Sequence, residues 1–339
     1  MKRNGSEKSR RIKSSGPERF VTDQTAYRNY MFLLEARDKL RAWLKNQGYL
    51  EAIIPSLSPE TVPDLNLESF AVEFRSVFAP GRKSTLFLQT SPELLLKRMM
   101  AAGFSAVFYL GPVFRQGELA EKHHPEFTMA EWYRAGISYL DLMSEIEEML
   151  VGLFGLKTPI PRMSFRDALF QASGIDFLKL QKTSALSRAI QSRAKFFDGR
   201  GMDFCELLEF AVVQWLEPWL ITKEAVFIFD WPAQMAMQAR LKPGNPKLAE
   251  RFELYLRGLE IANGYSEALD ASELKKRFSA EIRKRRKIGK EVIPLPKAFL
   301  ASMSLGLPAC AGVSLGLERL CMALLGLHNL DQLMAFREI

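Results

Sequence analysis

Two runs rich in aromatic and β-favouring residues, Ala106 to Phe114 and Phe127 to Tyr133, flank a polar loop of about a dozen residues. This pattern reads as a long antiparallel hairpin, and a hairpin loop of that length is more often functional than idle. Upstream, Tyr30, Leu33, Leu34, Arg37, Leu40 and Leu44 recur at helical spacing until Gly48 stops the helix. A short strand, Tyr49 to Ile54, follows and Pro55 closes it. Leu86 to Gln89 reads as a strand leading into a helix start, with Ser91 as cap, Pro92 at the first helical position and Glu93 in the first turn. Helical spacing returns from Tyr139 to Leu156, and the stretch 160 to 225 reads as mixed, mostly helical structure. Ala225 to Phe229 and Phe252 to Ala262 are predicted strands, the second followed by a glycine turn at Asn263-Gly264. Ala311 to Gly316 is a small-residue strand, and Leu317, Leu320, Cys321, Leu324 and Leu325 form the apolar stripe of a helix ended by Gly326. Strands and helices mix without βαβ regularity, and no Rossmann or P-loop glycine fingerprint is present. The expected fold class is therefore α+β, an antiparallel sheet flanked by helices.

Lys and Arg outnumber Asp and Glu by 47 to 39, and the formal charge of +8 suits an acidic partner such as a nucleotide, nucleic acid or acidic protein without choosing among them. Basic residues concentrate in two places. One is the Ser- and Gly-containing start of the chain, with Lys2, Arg3, Lys8, Arg10, Arg11, Lys13 and Arg19, which is expected to be a disordered tail. The other is Leu274 to Lys290, expected to be a solvated helical face, with docking of an acidic macromolecule as the second reading. Cys205, Cys310 and Cys321 are too few and too scattered for a disulfide framework or a zinc knuckle. No signal-peptide core and no run of 18 apolar residues occurs, so a cytoplasmic protein without a membrane span is expected.

Three constellations carry chemistry. Phe114-Arg115-Gln116-Gly117-Glu118 leaves the first hairpin strand, and His123-His124-Pro125-Glu126-Phe127-Thr128-Met129-Ala130-Glu131-Trp132-Tyr133 enters the second. An arginine at a strand end can place its planar fork on a phosphate, and a facing ring can stack on a base. In the second constellation Glu260 and Glu267 lie seven residues apart across the expected glycine turn. That spacing can return two carboxylates to one site for Mg²⁺ or a substrate ammonium, although such a pair alone is far more often solvated surface. The third is Gly312-Val313-Ser314-Leu315-Gly316-Leu317-Glu318-Arg319-Leu320, whose glycines permit close backbone approach and whose arginine sits at a helix start.

In order, spacing and content the three constellations resemble the signature motifs of the class II aminoacyl-tRNA synthetases, most closely the lysine branch. The helix with Gly48 and Pro55 is similar to the first motif, the dimer interface of that family; the hairpin to the second; and the Gly-Val-Ser-Leu-Gly-Leu-Glu-Arg segment to the third. The resemblance runs from about Tyr27 to the C-terminus. It implies ATP and Mg²⁺ as cofactors, with Arg115 on the α-phosphate, Phe127 on adenine and Arg319 on the γ-phosphate. Gln116, Gly117, Glu118, His124, Glu260, Ile261 and Gly316 would complete the ATP site. Ser91, Pro92, Glu93, Tyr133, Asn263, Glu267 and Ser314 would line the amino-acid pocket, and Glu260 with Glu267 would serve Mg²⁺.

Lysyl-tRNA synthetases carry an N-terminal OB domain of about a hundred residues for the anticodon. The chain is instead expected to divide into a basic tail, 1–25, and a catalytic domain, 26–339, without that OB domain. It thus resembles the shortened, free-standing elongation factor P (R)-β-lysine ligases. These activate (R)-β-lysine or lysine and pass it to a lysine side chain of elongation factor P. The resemblance makes that factor the expected acceptor in place of tRNA, and the chain a homodimer. A truncated synthetase charging tRNA or another acceptor, and a non-catalytic regulatory paralogue, are the competing readings. Departures from the family pattern fall at Glu118, one place later than the usual glutamate, at His124 in place of Asn, at Glu318 in place of Asp, and at Ser314, where Gly or Ala is usual.

Overall fold

The computed structural model describes residues 16–79 and 81–336. Its strands are β1 (Leu50–Glu51), β2 (Leu57–Ser58), β3 (Ala71–Arg75), β4 (Lys83–Leu88), β5 (Ala106–Phe114), β6 (Glu126–Ala135), β7 (Arg162–Ser164), β8 (Ala225–Pro232), β9 (Leu248–Leu256), β10 (Leu259–Ser266) and β11 (Cys310–Gly316). The helices are α1 (Gln24–Asn46), α2 (Glu93–Ala101), α3 (Tyr139–Phe154), α4 (Phe165–Ser173), α5 (Thr183–Gln191), α6 (Phe204–Ala211), α7 (Glu217–Ile221), α8 (Ala271–Lys287), α9 (Lys297–Ser304) and α10 (Leu317–Leu325). An eight-stranded sheet runs in the order β1-β5-β6-β11-β10-β9-β8-β7, and a three-stranded sheet in the order β2-β4-β3. The large sheet is antiparallel except at its edges, where β1 joins β5 and β7 joins β8 in parallel. The expected α+β class holds, and the long hairpin is in register from Ala106 opposite Arg134 to Phe114 opposite Glu126.

Strand alternation divides the sheet into two faces with different fates. Ala130, Trp132, Val313, Leu315, Ala262, Phe252 and Leu254 point to one face and bury against α1, α3 and α10 in the largest apolar cluster. On the opposite face two separate covers form. Val107, Tyr109, Val113, Met129 and Tyr133 pack under α2, α8 and α9, while Val226, Ile228 and Tyr255 pack under α4 to α7. Between these covers lies a strip of β6, β11, β10 and β9 whose outward residues are small or polar.

Several local expectations need correction. The strand expected over Tyr49 to Ile54 is only Leu50–Glu51. The strand expected over Phe252 to Ala262 is two strands, β9 and β10, turning at Arg257-Gly258, where φ is +50° and +77°. Asn263-Gly264 is therefore not a turn: both residues sit inside β10, opposite Glu253 and Phe252. Gly264 is required there because a Cβ would lie 2.6 Å from the Phe252 ring and 2.9 Å from the Gly312 carbonyl. Helix α2 starts one residue later than expected, with Pro92 as its cap residue, and the Ser91 hydroxyl accepts from the Glu93 N–H at 3.3 Å. Residues 1–15 of the expected tail lie outside the described residues, but its later part is ordered: Pro17–Val21 forms a 3-10 turn and α1 begins at Gln24. Buried Arg19 ties this turn to the far end of the chain by donating to the carbonyls of Asp331 and Met334.

Candidate active site

The hairpin loop, β10 and the β11–α10 junction enclose a cavity of about 280 Å³. Arg115, Glu118, His124, Phe127, Glu260, Ile261, Gly316 and Arg319, all expected at an ATP site, line it together with His123. The Arg115 guanidinium lies 5.0 Å from the centre of the Phe127 ring and 3.5 Å from the Glu118 carboxylate. Gly117, at φ +85°, turns the loop so that a glutamate placed one residue late still reaches this arginine. Gln116 and Gly117 do not line the cavity; the Gln116 N–H instead donates to the Glu68 carbonyl at 2.9 Å, tying the loop to the segment that carries Asn66 and Leu67 into the wall.

Across the cavity Arg319 leaves the first turn of α10, donates to the Glu260 carbonyl at 3.4 Å and stands 4.0 Å from the Glu260 carboxylate. A Cβ at Gly316 would approach nothing closer than the Arg319 side chain at 3.8 Å, so the glycine leaves open floor rather than filling it. Glu318 is buried, and both its oxygens accept from the Thr128 N–H at 3.0 Å, which locks α10 onto β6. Burial and the Arg319 charge hold His123 below its usual value. Among the described residues no group of three or more His, Cys, Asp or Glu is placed to hold an ion.

Cross-strand register places the rest of the site. Glu131 on β6 faces Ser314 on β11, Ser314 faces Asn263 on β10, and Asn263 faces Glu253 on β9. One step along, Tyr133 faces Gly312, Gly312 faces Tyr265, and Tyr265 faces Arg251. Directly opposed residues share a face, so these two rows form the polar strip left between the apolar covers. The strip needs Gly312, because a Cβ there would sit 2.1 Å from the Tyr133 ring. Ser314 and Asn263 line the cavity floor, and the Ser314 hydroxyl donates to the Asn263 carbonyl at 3.3 Å.

Beyond them the strip turns acidic and closed. Lys97, one helical turn after Glu93 on α2, reaches 2.6 Å from Glu93, 2.5 Å from Glu267 and 3.2 Å from the Gln238 amide oxygen. The Tyr265 hydroxyl donates to Glu93, and the Tyr133 hydroxyl donates to Glu131 at 2.7 Å. Oε1 of Glu267 has no hydrogen-bond partner. Burial pushes Glu131 up to about 8, reinforced by the charge of Glu93. Burial likewise raises Glu267 to about 8, against the opposing pull of Lys97. Burial alone would depress Lys97, but Glu267 and Glu93 outweigh it and hold its ammonium above the ordinary value.

Of the expected amino-acid residues, Glu93, Tyr133 and Glu267 meet in this pocket and Asn263 and Ser314 join it to the cavity, whereas Ser91 and Pro92 stand at the start of α2. The expected pairing of Glu260 with Glu267 for a metal is not formed. Glu260 is the second residue of β10 and lines the cavity, whereas Glu267 follows the last residue of that strand and is committed to Lys97. Lys97, Glu131, Tyr265 and Glu253 stand outside the expected set. Their signals are regular: Lys97 follows Glu93 at i,i+4 on a helix, and Glu131 shares the period of Phe127, Met129 and Tyr133 on a strand.

The site thus joins a cavity holding two guanidinium groups to a buried pocket holding three carboxylates and one ammonium. It matches a ligand set that is polyanionic at one end and cationic at the other. Comparison with known families agrees with this geometry. The description of tRNA synthetases class II (D, K and N) matches residues 21–339. An elongation factor P--(R)-beta-lysine ligase of Avibacterium paragallinarum is 35% identical over 298 residues, covering 88% of this chain and 91% of the relative. The proteins of that name from Photorhabdus laumondii and Haemophilus influenzae are 35% and 33% identical, with the same shares covered. The chain belongs to the class II tRNA synthetase family (D, K and N), together with the elongation factor P--(R)-beta-lysine ligases.

Proposed function

We propose that this ligase uses ATP to activate lysine or (R)-β-lysine as an aminoacyl-adenylate and passes the aminoacyl group to a lysine side chain of elongation factor P. The observation that carries the reading is the charge of the two halves of the site. With all three buried carboxylates ionised against one buried ammonium the pocket carries two negative charges, a state that two substrate ammonium groups would favour by displacing the protons that burial holds on Glu131 and Glu267. The adjoining cavity, with Arg115 and Arg319 on opposite walls, suits a triphosphate.

In the first step a substrate carboxylate oxygen attacks the α-phosphorus and pyrophosphate leaves. Arg115 receives the charge developing on the α-phosphate, Phe127 stacks on the base and Arg319 holds the terminal phosphate. No side chain needs to remove a proton, so positioning and charge neutralisation supply the rate. Asn263 and Ser314, between cavity and pocket, lie where the carboxylate meets the phosphate. In the second step the acceptor lysine's neutral amine attacks the acyl carbon, AMP leaves, and the nitrogen loses a proton to solvent. Mg²⁺ neutralises phosphate charge when bound, and the residues fit it through Glu260, whose side chain faces the cavity and is 38% exposed. A magnesium ion carried by a nucleotide needs only one or two protein carboxylates.

The first-motif face is proposed to join two copies: Tyr27 and Met31 on α1, with Leu50 and Ile53 beside it, are large and exposed. Among the described residues no helix is long and apolar enough to cross a membrane, and a cytoplasmic location fits a translation-linked substrate. The test is transfer of radiolabelled lysine isomers, with ATP, to purified elongation factor P and in parallel to bulk tRNA. Label on the factor supports the proposal; label on tRNA alone supports a truncated synthetase.

A further inference from the structure

Lys97 is an unusual residue to bury. Its side chain is 1% exposed, and its helix neighbours Leu96 and Met100 show that apolar residues fill the same layer under α2. A buried ion pair is often replaceable by well-packed apolar groups without loss of stability, so filling space does not account for a lysine here. Its surroundings account for it better. Glu93 faces the ammonium from its own helix, Glu267 and Tyr265 from the end of β10, Glu131 and Tyr133 from β6, Gln238 from the loop after β8, and Cys310 from β11. The two tyrosine rings lie with their centres 5.8 and 5.1 Å away, adding cation–π attraction to the ion pairs.

We propose that Lys97 is a positioning residue for the amino-acid substrate: its ammonium permanently occupies one carboxylate equivalent, pins Glu93 and Glu267, and leaves two carboxylate equivalents for substrate ammonium groups. This rests on the reading of the pocket as the amino-acid site. Without Lys97 the three carboxylates hold an extra proton in its place, and one of the groups meant for substrate is neutral and free to rotate. The side chain touches neither the cavity nor the groups that face the nucleotide, so its loss acts on amino-acid binding alone.

The test uses the full chain in lysine-dependent ATP–pyrophosphate exchange, with Lys97→Met to preserve shape and Lys97→Ala to leave a hole. The expected result is an amino-acid KM at least ~10-fold higher in both variants, with the ATP KM unchanged; losing one buried charge partner is a multi-kcal/mol effect. Propylammonium chloride added to Lys97→Ala lowers the amino-acid KM back toward wild type, while 1-propanol, of nearly the same shape, does not. An unchanged amino-acid KM in Lys97→Met, a parallel rise in the ATP KM, or equal rescue by 1-propanol overturns the proposal in favour of simple packing. Absence of rescue by the amine also overturns it. If the wild-type chain itself shows no exchange with any lysine isomer, the pocket reading has failed, an outcome separate from normal exchange in the wild type and the variants alike.

Discussion

Arg285 sits in the middle of a run of basic residues on α8, yet it is fully buried. It donates to the carbonyls of Asp64 at 2.7 Å, Leu67 at 3.1 Å and Glu291 at 2.9 Å, and pairs with the Glu68 carboxylate at 2.5 Å. Asn66 and Leu67, within the strap it holds, line the nucleotide cavity. Arg285→Ala removes one partner of a buried pair, a change that costs about 3–5 kcal/mol in the general case. Glu68 is about a third exposed and keeps Lys290 at 3.0 Å, so the lower end, about 3 kcal/mol, applies. With an unfolding entropy of about 2 cal/mol/K per residue, that lowers the melting temperature by about 4 °C. Arg286→Ala, on the exposed side of the same helix, should change stability by less than about 0.5 kcal/mol. Thermal unfolding of both variants, with their ATP KM values, checks the reasoning. The Arg285 variant should also show a raised ATP KM with the lysine KM unchanged. Equal melting temperatures for the two variants would refute the claim that Arg285 staples the cavity wall.

Further outcomes follow from the pocket and its floor. Glu131 and Glu267 are pushed up to about 8 by burial, so at pH 6 they hold protons that substrate ammonium groups must displace. The amino-acid KM should therefore fall as pH rises from 6 to 8, by up to ~10-fold per unit for each proton displaced, and a flat profile would contradict the pairing. The same two carboxylates lower stability as pH rises from about 4.5, their usual range, through about 8, because folding then requires buried charge. Gly312→Ala brings a methyl group to 2.1 Å from the Tyr133 ring; the overpacking should cost about 1–3 kcal/mol and raise the amino-acid KM by moving Tyr133 away from Glu131. Ser314 faces Glu131 across the strands, so Ser314→Gly should change the ratio of exchange rates for α- and β-lysine, read by comparing isomers at matched concentrations.

The second and third motifs were legible because each places its residues locally: a hairpin with a fixed register and a strand running straight into a helix. Arg115, Phe127, Gly316 and Arg319 meet at one cavity for that reason. The acidic pocket was only partly legible. Glu93 and Lys97 lie about 170 residues before Glu267, and their meeting depends on how α2 crosses the sheet, which no local spacing encodes. The misread turn at Asn263-Gly264 has a different cause. Asn-Gly is a strong turn signal, but Arg257-Gly258 takes the turn, and Gly264 serves instead for close approach to Phe252 and Gly312. The expected pairing of Glu260 with Glu267 followed directly from that turn. Arg285 was hidden by its neighbours, since a charge run does not reveal which member faces inward; the Glu68 strap that selects it lies 217 residues away.

The central claim is that the two guanidinium groups and the acidic pocket serve one adenylation reaction. Amino-acid-dependent ATP–pyrophosphate exchange, run with α-lysine and both β-lysine enantiomers on the wild type and on Arg319→Ala, tests it most directly. The account predicts exchange with at least one lysine isomer, none with amino acids lacking a second ammonium group, and its loss in the folded Arg319 variant. Exchange that persists in Arg319→Ala, or that is supported equally by uncharged amino acids, would contradict it.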